Sequence, residues 1–144
     1  MSVCTFFGHR YTDRAIIPKL TAVLTDLIEN KGVTMFYVGH QGFFDSMVRT
    51  ELKKLYPHTN YYVALAYLAK KSDDLDCTDY SDTIFPDALT KTPPKYAIDK
   101  RNRWMISVSD YVVCYCEHNA DFGAPRYMNI ARKKGLTVIN LYSK

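Results

Sequence analysis

The chain has 144 residues, 47% of them apolar and 24% charged, with a formal net charge of +4. That is the size of one domain, 1–144, with enough apolar material for its own core, so folding requires neither disulfides nor metal. No apolar run approaches a membrane span and no signal peptide opens the chain; Lys and Arg are scattered rather than gathered in an arm or stripe, a balance suited to phosphate-bearing small molecules that makes nucleic acid an unlikely partner.

The first element is a β-prone run, Ser2 to Phe7, halted at Gly8. Ile16, Leu20, Val23, Leu24, Leu27 and Ile28 follow at three-and-four spacing, one apolar helix face, with Thr12 or Asp13 as its cap and Gly32 at its end. Thr34 to Val38 is a second strand, halted at Gly39. Phe44, Met47, Val48, Leu52 and Leu55 mark a second amphipathic helix, closed by Pro57, and Tyr61 to Leu68 is a third apolar run. Residues 69–94 break the rhythm. They are polar, acidic in the middle and proline-bearing, and read as a long loop forming a lid or an excursion at the sheet edge, with a turn of helix near Asp87 to Leu89, or equally as a solvated insertion. A helix from about Pro94 to Val108, a strand from Tyr111 to Cys116, a polar loop, a helix from Pro125 to Lys134 ended by Gly135, and a strand from Thr137 to Leu141 complete the chain.

Near-continuous apolar strands separated by helices mean a parallel sheet covered on both faces. Right-handed crossovers then predict an α/β, Rossmann-like, doubly wound five-stranded sheet in the order 3-2-1-4-5. Ligands of such sheets bind outside the carboxyl ends of the strands, where the strand order reverses. That rule selects three loops: Gly8-His9-Arg10, Gly39-His40-Gln41-Gly42 running into Asp45, and the stretch leading to Gly123-Ala124. Each has a glycine at a strand-to-helix turn, which permits close backbone approach, and a helix amino terminus beyond it, which suits an anion. Arg10 could clamp a phosphate. Any one of these glycines is equally explained as a tight turn; it is their convergence that points to a site. Neither G-x-G-x-x-G nor a P-loop is present, so ordinary dehydrogenase and ATPase chemistry is disfavoured.

His9 and Asp45 are the candidates for acid–base chemistry, against the plainer readings of a hydrogen-bonded structural histidine and a helix-capping acid. Asp45 could also hold a ribose hydroxyl. Arg101 shares a helix face with Met105 and reads either as a ligand contact or as a solvated charge; Trp104 reads as core. Cys114 and Cys116 point to one side of a strand and read as small buried hydrophobes, and the cysteines match no zinc pattern, so no metal site is expected.

The segments Phe6-Phe7-Gly8-His9-Arg10, Val38-Gly39-His40-Gln41-Gly42-Phe43-Phe44-Asp45, Arg101-Asn102-Arg103-Trp104-Met105 with Ser109-Asp110, and Gly123-Ala124 together resemble a family of small bacterial and phage proteins of the SLOG superfamily that begin F-x-G-H-R. That superfamily includes the Rossmann-like cores of the DNA-processing protein DprA and of the "Lonely guy" phosphoribohydrolases. The resemblance spans nearly the whole chain. It implies a site for nucleotides or nucleotide-derived molecules such as ADP-ribose or NAD relatives. Matched by motif, the site residues are Gly8, His9, Arg10, Gly39, Gln41, Gly42, Asp45, Arg101, Gly123 and Ala124. The phosphoribohydrolases carry P-G-G-x-G-T-x-x-E after the fourth strand. Here Asp121-Phe122-Gly123-Ala124-Pro125-Arg126-Tyr127 stands in its place, with no glutamate at the expected spacing, and Asp45, Asp121 and Glu117 remain as open substitutes.

The expected function is therefore binding of a nucleotide-derived phosphorylated ligand, as sensor or carrier, by a cytoplasmic protein that forms homo-oligomers as related folds do. The alternatives are hydrolysis of an N-glycosidic or phosphate bond, and a DprA-like role in protein interaction or DNA handling. The sequence identifies no cofactor other than a nucleotide ligand.

Overall fold

The computed structural model describes residues 2–9, 11–40, 42–55, 60–65, 83–84, 93–118 and 120–142. Within them six strands, β1 (Ser2–Gly8), β2 (Val33–Val38), β3 (Asn60–Ala64), β4 (Thr83–Ile84), β5 (Tyr111–Tyr115) and β6 (Thr137–Asn140), form one sheet in the order β4-β3-β2-β1-β5-β6. Every pair is parallel. The helices are α1 (Ile17–Glu29), preceded by a tight turn at Arg14–Ile16, α2 (Gly42–Leu55), α3 (Pro94–Ser107) and α4 (Gly123–Lys133).

Five of these strands stand in the order expected, 3-2-1-4-5. The sixth corrects the expectation. β4 lies in the stretch that reads as loop or lid, and it pairs through Val63 with Thr83 and Ala64 with Ile84. The Leu65 N–H donates to the Ile84 carbonyl at 2.8 Å. Two residues carry no periodicity, so only this pairing reveals the strand. The rest of that stretch, with the helical turn expected near Asp87 and the end of the third strand toward Leu68, lies outside the described residues.

Side-chain alternation builds a core on each face of the sheet. Cys4 and Phe6 of β1, with Val113 and Tyr115 of β5, pack under Leu20, Leu24 and Leu27 of α1 and Phe44, Val48 and Leu52 of α2. Phe7, Val112, Cys114 and Cys116 point the other way, against Met105 and Ile106 of α3 and Tyr127, Met128 and Ala131 of α4. The paired cysteines do share a face, as small buried side chains. Asp13, not Thr12, caps the first helical turn, accepting the Ala15 N–H at 2.9 Å. The Thr12 hydroxyl instead donates to the His9 carbonyl at 2.7 Å.

One side chain substitutes for backbone where the ladder between β5 and β6 ends. Asn140 Oδ1 accepts the N–H groups of Cys116 at 3.0 Å and Tyr142 at 3.1 Å, while its Nδ2 donates to the Cys116 carbonyl at 3.1 Å. This holds the end of β5 and the chain beyond it in fixed positions beside β1.

Candidate functional site

The strand order reverses between β1 and β5, and a cleft of about 460 Å³ opens there at the carboxyl ends of the strands. That volume lies within the usual range for small-molecule sites. Gly8, His9, Gly39, Gly42, Asp45, Arg101, Gly123 and Ala124 all line it. Four separate segments of sequence thus supply one concavity. Arg10 and Gln41, the remaining candidates, lie outside the described residues.

The glycines serve different ends. Gly42 and Gly123 have φ of 83° and 64°, so each turns the chain through the left-handed region into the first residue of a helix. At Gly39 a Cβ would stand 2.7 Å from Asp45 Oδ2 and 3.4 Å from Arg101 Nη1. A carboxylate and a guanidinium therefore converge on that one point of the β2 turn, and a side chain there would displace them.

Arg101 is only 2% exposed, so it is no solvated helix charge. Its Nε donates to Asn102 Oδ1 at 2.9 Å, and Nη1 reaches the Ala64 carbonyl at 3.5 Å and His40 Nδ1 at 3.2 Å. Arginine can only donate, so His40 Nδ1 is the acceptor in this bond. A second buried arginine, Arg49, donates from Nη1 to the Gly39 carbonyl at 3.0 Å. Sequence reasoning passed over Arg49, although it stands four residues after Asp45 on α2, the spacing of one helix face. Asn102, a neighbour of Arg101 on α3 that the sequence does not mark as a site residue, also lines the cleft.

His9 bridges two strand ends. Its Nε2 accepts the Glu117 N–H at 2.9 Å, and its ring stacks on His118 at a centroid distance of 5.5 Å. Desolvation lowers its pKa below the ordinary 6.5; the Glu117 carboxylate partly offsets this and His118 reinforces it. With Nε2 occupied in this way, His9 ties the β1 and β5 loops together as a neutral hydrogen-bonded residue.

Beyond Arg101, Gly123 and Ala124, α3 and α4 add a pair that sequence reasoning did not single out, Asp99 and Tyr127. Tyr127 stacks on Phe7 at 5.3 Å, and its hydroxyl donates to Asp99 Oδ1 at 2.7 Å. Burial disfavours the Asp99 carboxylate, but hydrogen bonds from Tyr127 and Arg103 outweigh it and hold the pKa below the ordinary value. Burial, then the bond to Asp99, raises that of Tyr127. Met105 lines the cleft on the same face as Arg101, and its Sδ accepts the Thr5 hydroxyl at 3.4 Å. Trp104 packs edge-on against Tyr37 at 5.1 Å, away from the cleft residues. The amino terminus of α4 follows Phe122, whose side chain makes no capping hydrogen bond.

No family model and no curated protein matches this chain. Among solved structures it is similar to DNA processing protein A from Helicobacter pylori, described for its mode of single-stranded DNA binding, with a TM-score of 0.65 and 14% identity over 99% of this chain. The chain covers 66% of that protein's length, just under two thirds. The fold is Rossmann-like. The comparison also corrects the expectation that nucleic acid is an unlikely partner. A protein of similar fold is described as binding single-stranded DNA, which conflicts with that expectation. Among the described residues no helix is long and apolar enough to cross a membrane.

Proposed function

We propose that the cleft at the switch point binds a nucleotide unit, in the manner of a SLOG-type Rossmann domain. One observation carries this: residues from four segments, selected as a ligand site from sequence, line one cleft of about 460 Å³. The turn at Gly123 and the helix amino terminus after it would receive a phosphate, since N–H groups there have no intrahelical acceptor. The buried Asp45 carboxylate suits a ribose hydroxyl, which donates to it. Tyr127 and Ile98 offer apolar surface for a base.

Binding is favoured over hydrolysis. The imidazole of His9 is engaged with Glu117, and α4 contains no glutamate where the phosphoribohydrolases carry theirs. The test is a thermal-shift and calorimetric screen against AMP, ADP, ADP-ribose and NAD, with chromatography of each mixture. A ligand at about one hundred times its dissociation constant adds about 2.7 kcal/mol of stability. Selective stabilisation with the ligand recovered intact supports the reading; a released base or ribose phosphate would make the protein an enzyme, and no stabilisation by any of them removes the free-nucleotide reading.

The second reading is that the nucleotide unit belongs to a single strand of DNA. It is favoured by the likeness to DNA processing protein A.

A further inference from the structure

A second concavity of about 400 Å³ lies beside the cleft, between α2 and the turn leading into α1. Its apolar floor is Ile17 and Met47; Phe43 closes one side, and Arg14, Glu51 and Lys54 supply the charge. The two concavities adjoin on the first turn of α2: Gly42 and Asp45 face the cleft, and Phe43 faces the groove. Phe43 is 57% exposed and meets Tyr11, itself 77% exposed, edge to face at a centroid distance of 5.7 Å. Single exposed rings are ordinary, but these two adjoin each other at the rim of a concavity with an apolar floor, which makes one contiguous apolar surface. Edge-to-face contact is a favoured geometry for an aromatic pair, and the exposure of both rings leaves aromatic surface open to solvent.

We propose that this groove is a second nucleotide subsite, so that the protein takes a single-stranded nucleic acid that runs from the cleft across the Tyr11–Phe43 ridge. The inference rests on reading the cleft as a nucleotide site. The following base stacks on Phe43 above Ile17 and Met47. Its phosphates face Arg14 and Lys54. Glu51 is buried, with the Lys54 ammonium 4.0 Å from its carboxylate, so two cations stand against one screened acid. Nucleic acid is favoured over a protein partner by three features together: continuity with the cleft along one helical turn, exposed aromatic surface beside an apolar floor, and cations in the lining.

Titrations of labelled oligothymidylates of increasing length, beside a mononucleotide, test this on the wild type and on Phe43→Ala, Tyr11→Ala and Arg14→Glu. Wild-type affinity should rise from mononucleotide to short oligomer. Phe43→Ala should weaken the oligomer at least about fivefold, the lower end of one lost base stack, and leave the mononucleotide unchanged. Arg14→Glu should weaken the oligomer and flatten its salt dependence. All three side chains are exposed, and unchanged thermal unfolding will confirm that the variants fold. Equal oligomer affinity in wild type and Phe43→Ala overturns the proposal. So does equal weakening of both ligands, which would place Phe43 in the cleft. A mononucleotide that binds where no oligomer does would hand the groove to another partner and leave the cleft reading intact. Failure of both ligands would remove the cleft reading as well.

Discussion

The ring of Phe44 on α2 fills the space into which a Cβ on Gly8, the last residue of β1, would project. The glycine at the first strand-to-helix turn is therefore required by packing; Gly8 is not among the glycines with positive φ. Phe44 is 1% exposed and has nowhere to retreat. Gly8→Ala is expected to destabilise the fold by about 2 kcal/mol or more, as overpacked cores do. Phe44→Leu in the same chain should recover part of that loss, because residues in contact are not additive. Denaturant unfolding of the two single variants and the double variant checks this, and strictly additive losses would show that the ring does not oppose the new methyl group.

The burial of His9, partly offset by the Glu117 carboxylate and reinforced by His118, gives stability a pH dependence. The folded pKa of His9 lies below the ordinary 6.5, so the unfolded chain takes up its proton first as the pH falls. The contribution is complete above 6.5 and is lost as the pH falls from there toward the depressed folded value. His9→Gln cannot titrate, and its amide oxygen can still accept the Glu117 N–H. Its melting temperature is expected to fall less than that of the wild type between about pH 7.5 and pH 5. Parallel curves for the two proteins would exclude His9 as the source.

The sheet and its switch point were legible because they depend on periodicity, which is local. The apolar spacing of Leu20, Leu24 and Leu27, and the same-side placement of Cys114 and Cys116, were readable from intervals of four and three and of two. β4 was not, since two residues have no interval to read. The convergence of Gly8, Gly39 and Asp45 followed from topology once the strand order was known, whereas Arg101 joined them only through the family resemblance. What the individual side chains do was hidden. Nothing local marks Arg101 as buried, His9 as an acceptor, or Tyr127 as the partner of Asp99, because each depends on a group distant in sequence.

Asn140 shows the same limit and carries its own expectation. Its amide replaces a strand neighbour for Cys116 on both the N–H and the carbonyl. Asn140→Ala leaves those groups unpaired where β5 ends and should cost about 1–3 kcal/mol. Asn140→Asp keeps the acceptor and loses the donor, so it should fall between wild type and alanine near neutral pH. Hydrogen exchange of the Cys116 amide reads this directly: it should accelerate in the alanine variant and stay slower in the aspartate variant.

Arg101 separates a shape requirement from a charge requirement. Its guanidinium serves Asn102, His40 and Ala64 at once from a position 2% exposed, and its Nη1 lies 3.4 Å from where a Cβ on Gly39 would stand. A lysine carries the same charge but not the planar fork, so it cannot reach these partners together. Arg101→Lys is expected to cost about 2 kcal/mol or more, little less than Arg101→Met, because buried partners are left unpaired in both. If charge alone mattered, lysine would restore most of the stability that methionine loses. The same pair of variants bears on the ligand. Arg101 fixes the turn around Gly39, so both variants should weaken nucleotide binding even under conditions where they remain folded. Calorimetric titration well below their melting temperatures measures that loss, and undiminished affinity in Arg101→Met would show that the cleft holds its shape without the guanidinium.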